Sequence, residues 1–168
     1  MKRIVLDTNC LLMSIPKSSP YRIVWDAFLD GKFVLCVSNE IIEEYSEILS
    51  NKTTSSVANN VISTILNQHN VELIRPYYRF GLIQADADDN KFVDCAIAGG
   101  AEFLVSNDSH FSILKQIPFP KVSVLLLQSF SSMLRGYQCS EDVALLNEPP
   151  IEYHTRNSED WKSLNHNS

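Results

Sequence analysis

Two aspartates stand where strands of a sheet would end, and together they could hold a metal ion. Asp7 follows the apolar run 4–6, and Asp108 follows the apolar run 103–105 after a two-residue step. Short apolar runs without polar alternation are typical of strands buried on both faces of a parallel sheet. The crevice for chemistry in such a sheet lies outside the carboxyl ends of its strands. Both carboxylates can therefore point into one crevice.

Two further acids, Glu44 and Asp94, belong to segments with helical patterns. The apolar residues of segment 39–49 form one arc at about 100° per residue, and Glu44 is the acid that borders this arc. Three other acids of that helix fan out towards solvent: Glu40, Glu43 and Glu47. Segment 92–98 is apolar nearly all round, so Asp94 should be largely buried. A buried carboxylate is costly unless it is paired or binds metal.

Oxygen ligands of this kind suit hard divalent cations, so we expect Mg²⁺ or Mn²⁺ at this site. Such ions lower the pKa of a bound water, orient it in line with a phosphodiester and stabilise charge on the leaving oxygen. No side-chain nucleophile is then needed. The alternative for Asp94 is a structural ion pair with one of three cations: Lys2, Arg3 or Lys91.

The elements that would position these acids alternate between strand and helix. Strands are predicted at about 4–6, 33–37, 71–74, 103–105 and 122–126. Helices are predicted at about 23–30, 39–49, 57–68, 91–98 and 129–134, with Ser38 as an N-cap and Gly99-Gly100 as a C-terminal stop. Parallel strands need crossover connections that cover the sheet. We therefore expect a three-layer α/β/α fold with a mostly parallel central sheet.

One domain, residues 1–138, should carry this fold. The alternation of predicted strands and helices ends near Gln138. Residues 139–168 should form an extended or partly disordered C-terminal extension. The apolar run at residues 4–6 is too short for a secretory signal. The longest apolar run, at about 122–127, is too short for a membrane span. We expect a cytosolic protein. Its four cysteines are widely spaced, which favours reduced thiols.

The formal net charge of −6 counts against binding nucleic acid by bulk electrostatics. The objection weakens if acids are clustered around bound cations, because a metal ion dominates its local field. The cations are scattered along the sequence: Lys17, Arg22, Lys91 and Lys115. His110 lies close after Asp108, and we expect it to be structural rather than a phosphate contact.

Three segments together resemble the PIN-domain family, in particular its branch of toxin components of toxin-antitoxin systems. They are IVLDTN at 4–9, VSNEIIEEYSEIL at 37–49 and DDNKFVDCAIAGGAEFLVSND at 88–108. Each is weak alone, but their order and spacing are specific. The similarity spans about residues 2–130 and leaves the segment after 138 without a counterpart.

The resemblance implies a metal-dependent ribonuclease with Mg²⁺ or Mn²⁺ at the four acids, which are Asp7, Glu44, Asp94 and Asp108. Asn9 and Ser106 would hold these ligands by hydrogen bonds from outside the metal shell. Asp89 is the alternative to Asp94 as third acid, and we expect it to serve first as a helix N-cap. An antitoxin that inserts a basic side chain among the carboxylates is an expected partner besides RNA, and a homodimer stays open.

Two other functions compete with this interpretation. The scaffold could be a catalytically silent module that binds RNA or protein, although a pure binder has no reason to keep converging acids. A phosphate-accepting receiver domain also gathers acids at strand ends. It would need an Asp after a middle strand and a Lys after a late one. Here Ser38 and Gln128 stand at those places, so we set it aside.

Overall fold

In the computed structural model, which describes residues 1–136, a central parallel sheet of five strands organises the chain. The strands are β1 (Arg3–Leu6), β2 (Val34–Val37), β3 (Val71–Leu73), β4 (Phe103–Val105) and β5 (Val124–Leu125). Their order across the sheet is β3-β2-β1-β4-β5. Every neighbouring pair is parallel. The predicted fold class is thus confirmed.

Helices flank this sheet and connect its strands. They are α1 (Thr8–Ser14), α2 (Arg22–Leu29), α3 (Asn39–Lys52), α4 (Ser55–Asn67), α5 (Asn90–Gly99) and α6 (Leu127–Leu134), with 3₁₀ segments at Ala87–Asp89 and Ser109–Gln116. Helix α5 packs across β1, β2 and β4, and α2 packs against α1 and α6. Within residues 1–136, no helix is long and apolar enough to cross a membrane. The extension predicted at 139–168 lies outside the described residues.

Helix boundaries follow the local chemistry of the sequence. Ser38 caps α3 as predicted, because its side chain accepts a hydrogen bond from the Ile41 amide at 3.3 Å. Gly100 ends α5 in the left-handed conformation, with φ 58°, which glycine adopts at little cost. Cys10, Cys36 and Cys95 are buried free thiols, in line with the expected reduced state.

Three elements were missing from the sequence prediction, namely α1 and the 3₁₀ segments at Ala87–Asp89 and Ser109–Gln116. Residues 10–13 are apolar in succession, so the helical spacing that reveals an amphipathic helix is absent from α1. The helix is seven residues long and starts directly after Asp7, with no intervening loop. Helix α1 and the segment at Ser109–Gln116 matter because they fix the backbone just after Asp7 and Asp108.

Tyr45 ties α3 to the end of β1. Its ring is fully buried, and its hydroxyl donates a hydrogen bond to the carbonyl oxygen of Leu6. Leu6 precedes Asp7, and Tyr45 follows Glu44. This one contact therefore sets the position of the Glu44 side of α3 relative to the carboxyl end of β1.

We predict that Tyr45→Phe lowers the free energy of unfolding by about 1–2 kcal/mol, because the Leu6 carbonyl loses a buried donor. Urea denaturation followed by circular dichroism measures the change. Tyr78→Phe is the matched control, since Tyr78 is 67% exposed and should change stability very little. Equal stability of Tyr45→Phe and the wild type would show that the hydroxyl contact does not hold α3 in place.

Candidate functional site

Asp7 is a buried carboxylate at the carboxyl end of β1, only 7% exposed. Its Oδ2 accepts a hydrogen bond from the Ser106 hydroxyl at 2.6 Å. Burial raises the pKa of Asp7 to about 6, and the negative charges of Asp89 and Asp108 act in the same direction. The Ser106 bond and a backbone bond from Asn9 oppose this rise in pKa. Asp7 occupies the N-cap position of α1, but its side chain makes no capping bond.

Ser106 joins Asp7 to Asp108. While its hydroxyl donates to Asp7, its oxygen accepts a hydrogen bond from the Asp108 amide at 3.0 Å. Ser106 is fully buried, so this bridge is shielded from water. Asp108 in turn accepts a hydrogen bond from the His110 amide at 2.9 Å through Oδ1. Two strand ends, β1 and β4, are thereby locked with their carboxylates at the same edge of the sheet.

Asp89 and His110 form the next part of the site. The Nδ1 atom of His110 lies 3.0 Å from Asp89 Oδ2 and 3.5 Å from Asp108 Oδ1. The contact with Asp89 is the main reason why the pKa of His110 is raised. Ligand atoms of Asp86, Asp89 and His110 all lie within 4.8 Å of one another. This spacing suits a single divalent cation.

The prediction that Asp89 is the N-cap residue of α5 is confirmed in position alone. Asp89 holds the N-cap position, but its side chain makes no capping bond. The preceding turn is instead capped by Asp86, whose side chain accepts from the Asp88 amide at 3.0 Å. Asp86 thus accepts the hydrogen bond at the start of this turn, and the Asp89 carboxylate contacts His110 instead.

Glu44 lies near Asp7 but is already paired. Its Oε1 accepts a hydrogen bond from the Thr8 hydroxyl at 2.5 Å, and its Oε2 forms an ion pair with Lys91. Lys91 also lies 3.6 Å from Asp88. Since Thr8 is the residue after Asp7, Glu44 faces the same end of β1, as the helical arc predicted.

Glu44 and Asp89 line one groove, which we call the acidic groove. Its charged lining consists of Glu40, Glu43, Glu44, Glu47, Arg79, Asp86, Asp88, Asp89, Lys91 and Asp94. Acids outnumber the basic side chains in this lining. The groove is therefore a negative surface that would attract cations.

Asp94 is buried as expected, at 1% exposed, but its contacts differ from those of the other acids. Its Oδ1 accepts from the Phe80 amide at 3.1 Å, and its Oδ2 lies 3.8 Å from Arg79. Arg79 itself donates to both oxygens of Glu40 at 2.7 Å. Burial raises the pKa of Asp94, and these two donors oppose the rise.

The ion-pair alternative for Asp94 named three cations, and each has another acidic partner. Lys2 pairs with Glu102, Arg3 with Glu72 and Lys91 with Glu44. The cation near Asp94 is Arg79, which the sequence analysis did not consider.

The structure thus links Asp7 to Asp108 through Ser106, and Asp108 to Asp89 through His110. Glu44 contacts Thr8, the residue after Asp7, whereas Asp94 lies against Arg79 in the acidic groove. Asp94 follows Asp89 by five residues, which turns its side chain by about 140° around the helix. The metal ligation expected of Asp94 stays a prediction, and the contacts favour Asp89. His110 was expected to be structural, although its place two residues after Asp108 was a usable signal of a role in the site.

The donor set fits a divalent cation. It offers carboxylate oxygens and one imidazole nitrogen, a mixture that suits Mg²⁺ or, with nitrogen included, Mn²⁺. Among the described residues, no lysine or arginine forms an ion pair with Asp7. The negative charges of Asp89 and Asp108 both raise the pKa of Asp7, and a metal ion between the carboxylates would relieve this repulsion.

Two comparisons with known proteins bear on this arrangement. A family model described as PIN domain matches residues 3–110. The fold is similar to one chain of the crystal structure of VapBC2 from Rickettsia felis bound to a DNA fragment from their promoter, with a TM-score of 0.53 and 19% identity. The match covers 74% of this chain and 98% of that chain. No curated protein matches the sequence significantly.

We predict that Asp7→Asn stabilises the metal-free protein. The folded pKa of Asp7, about 6 against an ordinary 3.8, means that wild-type stability falls as pH rises from about 4 to 6. Asparagine has no charge to bury, so at pH 7 to 8 the variant should gain up to about 3 kcal/mol. Thermal melts in chelator between about pH 4.5 and pH 8 measure the difference, which should shrink to about 1 kcal/mol at the acid end.

Asp30→Asn is the control for that experiment, because Asp30 is exposed. It should show no such pH-dependent gain. An Asp7→Asn variant less stable than the wild type at pH 8 in chelator would mean that the Asp7 charge is already compensated in the fold.

Proposed function

The chain belongs to the PIN domain family, and from this premise we propose that it is a metal-dependent ribonuclease that hydrolyses RNA phosphodiesters. The observation that carries the proposal is the chain of contacts that joins Asp7, Asp108 and Asp89, from three separate segments, through Ser106 and His110. Asp7 is buried there, and both other charges raise its pKa. A site that keeps three such carboxylates together is suited to holding a cation.

We propose that Asp7, Asp89 and Asp108 hold the ion, Mg²⁺ or Mn²⁺, and that Glu44 supports it from across the acidic groove. When bound, the cation supplies a water of lowered pKa and stabilises charge on the leaving oxygen of the phosphodiester. Ser106 keeps the Asp7 carboxylate oriented through its 2.6 Å hydrogen bond. His110, hydrogen-bonded to Asp89, can hold or release a proton at Nδ1 beside the site.

Lys91 has a defined part in this proposal. In the absence of a cation it offsets the charge of Glu44, with which it forms an ion pair. Its side chain is 13% exposed, so the pair is shielded from solvent. Glu44 would therefore be the last of the four acids to engage a metal, after Asp7, Asp89 and Asp108.

The fold and the sequence resemblance also lead us to propose that the protein is the toxin of a toxin-antitoxin pair. A partner that places a basic side chain in the acidic groove would neutralise Asp89, the proposed ligand of the ion that lines this groove. Arg79 already illustrates such a contact within the chain, since it lies beside Glu40 and Asp94 in this groove.

A second candidate function is a catalytically silent module of the same fold. The observation that favours it is the pairing of two acids by the chain's own cations, Glu44 by Lys91 and Asp94 by Arg79. The proposals differ in what they require of Asp7. A silent module loses nothing when that carboxylate is neutralised, whereas a nuclease loses its reaction.

We predict that Asp7→Asn, Asp89→Asn and Asp108→Asn each reduce Mn²⁺-dependent cleavage of single-stranded RNA by at least about 100-fold, because each removes a charge from the ion's site. Asp94→Asn should reduce it much less. Gel analysis of a labelled RNA measures the rates, and Asp30→Asn serves as the control. Cleavage that survives in Asp89→Asn but disappears in Asp94→Asn would reverse the assignment of the third ligand.

For the toxin proposal, we predict that expression of the full chain in a bacterial host arrests growth, because cleavage of cellular RNA stops protein synthesis. Asp7→Asn, produced at the same level, should allow normal growth. Growth curves with immunoblots for protein level give the measurement. Equal arrest by both proteins would show that toxicity does not arise from the carboxylate site.

A further inference from the structure

An exposed aromatic segment borders the acidic groove. It consists of residues 75–80, with the sequence Arg-Pro-Tyr-Tyr-Arg-Phe, and we call it the aromatic ridge. No acid occurs from Leu73 to Ala85, although the chain as a whole has a net charge of −6. The ridge follows β3, so it lies at the same sheet edge as the carboxylates.

Hydrogen bonds fix the ridge at both ends. The Ile74 amide donates to the carbonyl of Val37 at 2.7 Å, and the Phe80 amide donates to Asp94 at 3.1 Å. Beyond the ridge, the amide and the carbonyl of Ile83 both bond to the Asn90 side chain at 2.8 Å. These hydrogen bonds therefore fix the backbone of the ridge at the protein surface.

Arg79 and the rings of the ridge face different grooves. Arg79 lines the acidic groove, and Tyr78 and Phe80 line a shallow apolar groove together with Tyr77 and Ile97. Arg79 is fastened to Glu40 by two hydrogen bonds of 2.7 Å. The ridge is thus one wall shared by an acidic groove and an aromatic groove.

The rings of the ridge are unusually open to solvent. Tyr77 is 96% exposed and Tyr78 is 67% exposed. The rings of Tyr78 and Phe80 touch edge to face, with centroids 4.6 Å apart. That contact orients Tyr78 without covering it. Two adjacent tyrosines on a fixed segment therefore present free ring faces.

We propose that the aromatic ridge binds single-stranded RNA, with bases stacked on Tyr77 and Tyr78 and a phosphate contacted by Arg75. Stacking on exposed aromatic rings tolerates any base and combines with nearby cations in single-strand binding proteins. Arg75 is exposed and stands beside the rings, whereas Arg79 is held by Glu40. The inference rests on the proposed ribonuclease function, since it places the substrate strand next to the carboxylates.

Charge favours RNA over a protein partner at this surface. The ridge itself carries two arginines, two tyrosines, one proline and one phenylalanine, and the aliphatic side chains of the adjoining groove come from neighbouring segments: Leu73, Ile74, Ile97 and Ala98. Phosphates approaching the acidic groove are repelled by its carboxylates, so a strand needs a binding surface that is free of acids. The acid-free stretch that contains the ridge is such a surface, and it shares a wall with the groove.

The test is binding of a fluorescent single-stranded RNA of mixed sequence to the full chain in chelator, measured by polarisation. We expect the Tyr77→Ala and Tyr78→Ala double variant to raise Kd by about tenfold or more, since two stacking faces are lost. The double variant with phenylalanine at both positions should bind like the wild type, and the one with leucine should bind like the alanine variant. Arg75→Ala should weaken binding and lower its salt dependence, unlike Lys32→Ala at the opposite sheet edge.

Equal RNA-binding Kd for the alanine, leucine and wild-type proteins would overturn the proposal. A change in self-association of these variants, measured by light scattering, would then assign the surface to protein contacts, and the proposal fails with or without that change. All variants alter exposed side chains, so unchanged melting temperatures verify the fold. Because the assay needs no cleavage, the two proposals fail separately. If RNA binding depends on the two tyrosine rings but no RNA is cleaved, the proposed ribonuclease function fails alone. If RNA is cleaved but its binding does not depend on these rings, the proposed role of the aromatic ridge fails alone.

Discussion

The buried carboxylate of Asp7 is the constraint on which the rest of the site depends. The carboxyl end of β1 lies in the middle of the sheet, between β2 and β4, so any side chain there is shielded from water. A charge in that place is costly, and the rise of the Asp7 pKa to about 6 expresses this cost. Ser106, buried with it, offsets part of the cost and at the same time fixes Asp108. Under the proposed function, the buried Asp7 charge lowers the stability of the metal-free fold, and a bound cation would offset that charge.

The other charged groups divide into two sets around this centre. Asp89, Asp108 and His110 act on Asp7 or on one another. Glu40 and Asp94 are engaged with Arg79 in the same acidic groove that Asp89 lines. The first set is short of positive charge, and the second is balanced by the chain itself. Arg79 also belongs to the aromatic ridge and holds it against Glu40. The second set therefore has a structural role.

Much of this could be read from the sequence because strand ends and helix arcs follow local patterns. The apolar runs before Asp7 and Asp108 placed both carboxylates at one sheet edge, and the arc of α3 selected Glu44 over its neighbours. The choice between Asp89 and Asp94 could not be made that way. Both belong to one short segment, and the decision depends on the phase of α5 and on Asp86 capping the turn before it. Arg79 was missed because its partner Glu40 is 39 residues away in sequence, and the contact of His110 with Asp89 spans 21 residues.

A crystal of the wild-type protein soaked with Mn²⁺ and measured for anomalous scattering tests the central claim most directly. The account predicts a peak within about 2.5 Å of carboxylate oxygens from Asp7, Asp89 and Asp108. A peak held by Asp94 and Glu40 with Asp7 left unbound, or no peak at a Mn²⁺ concentration that supports cleavage, would contradict it.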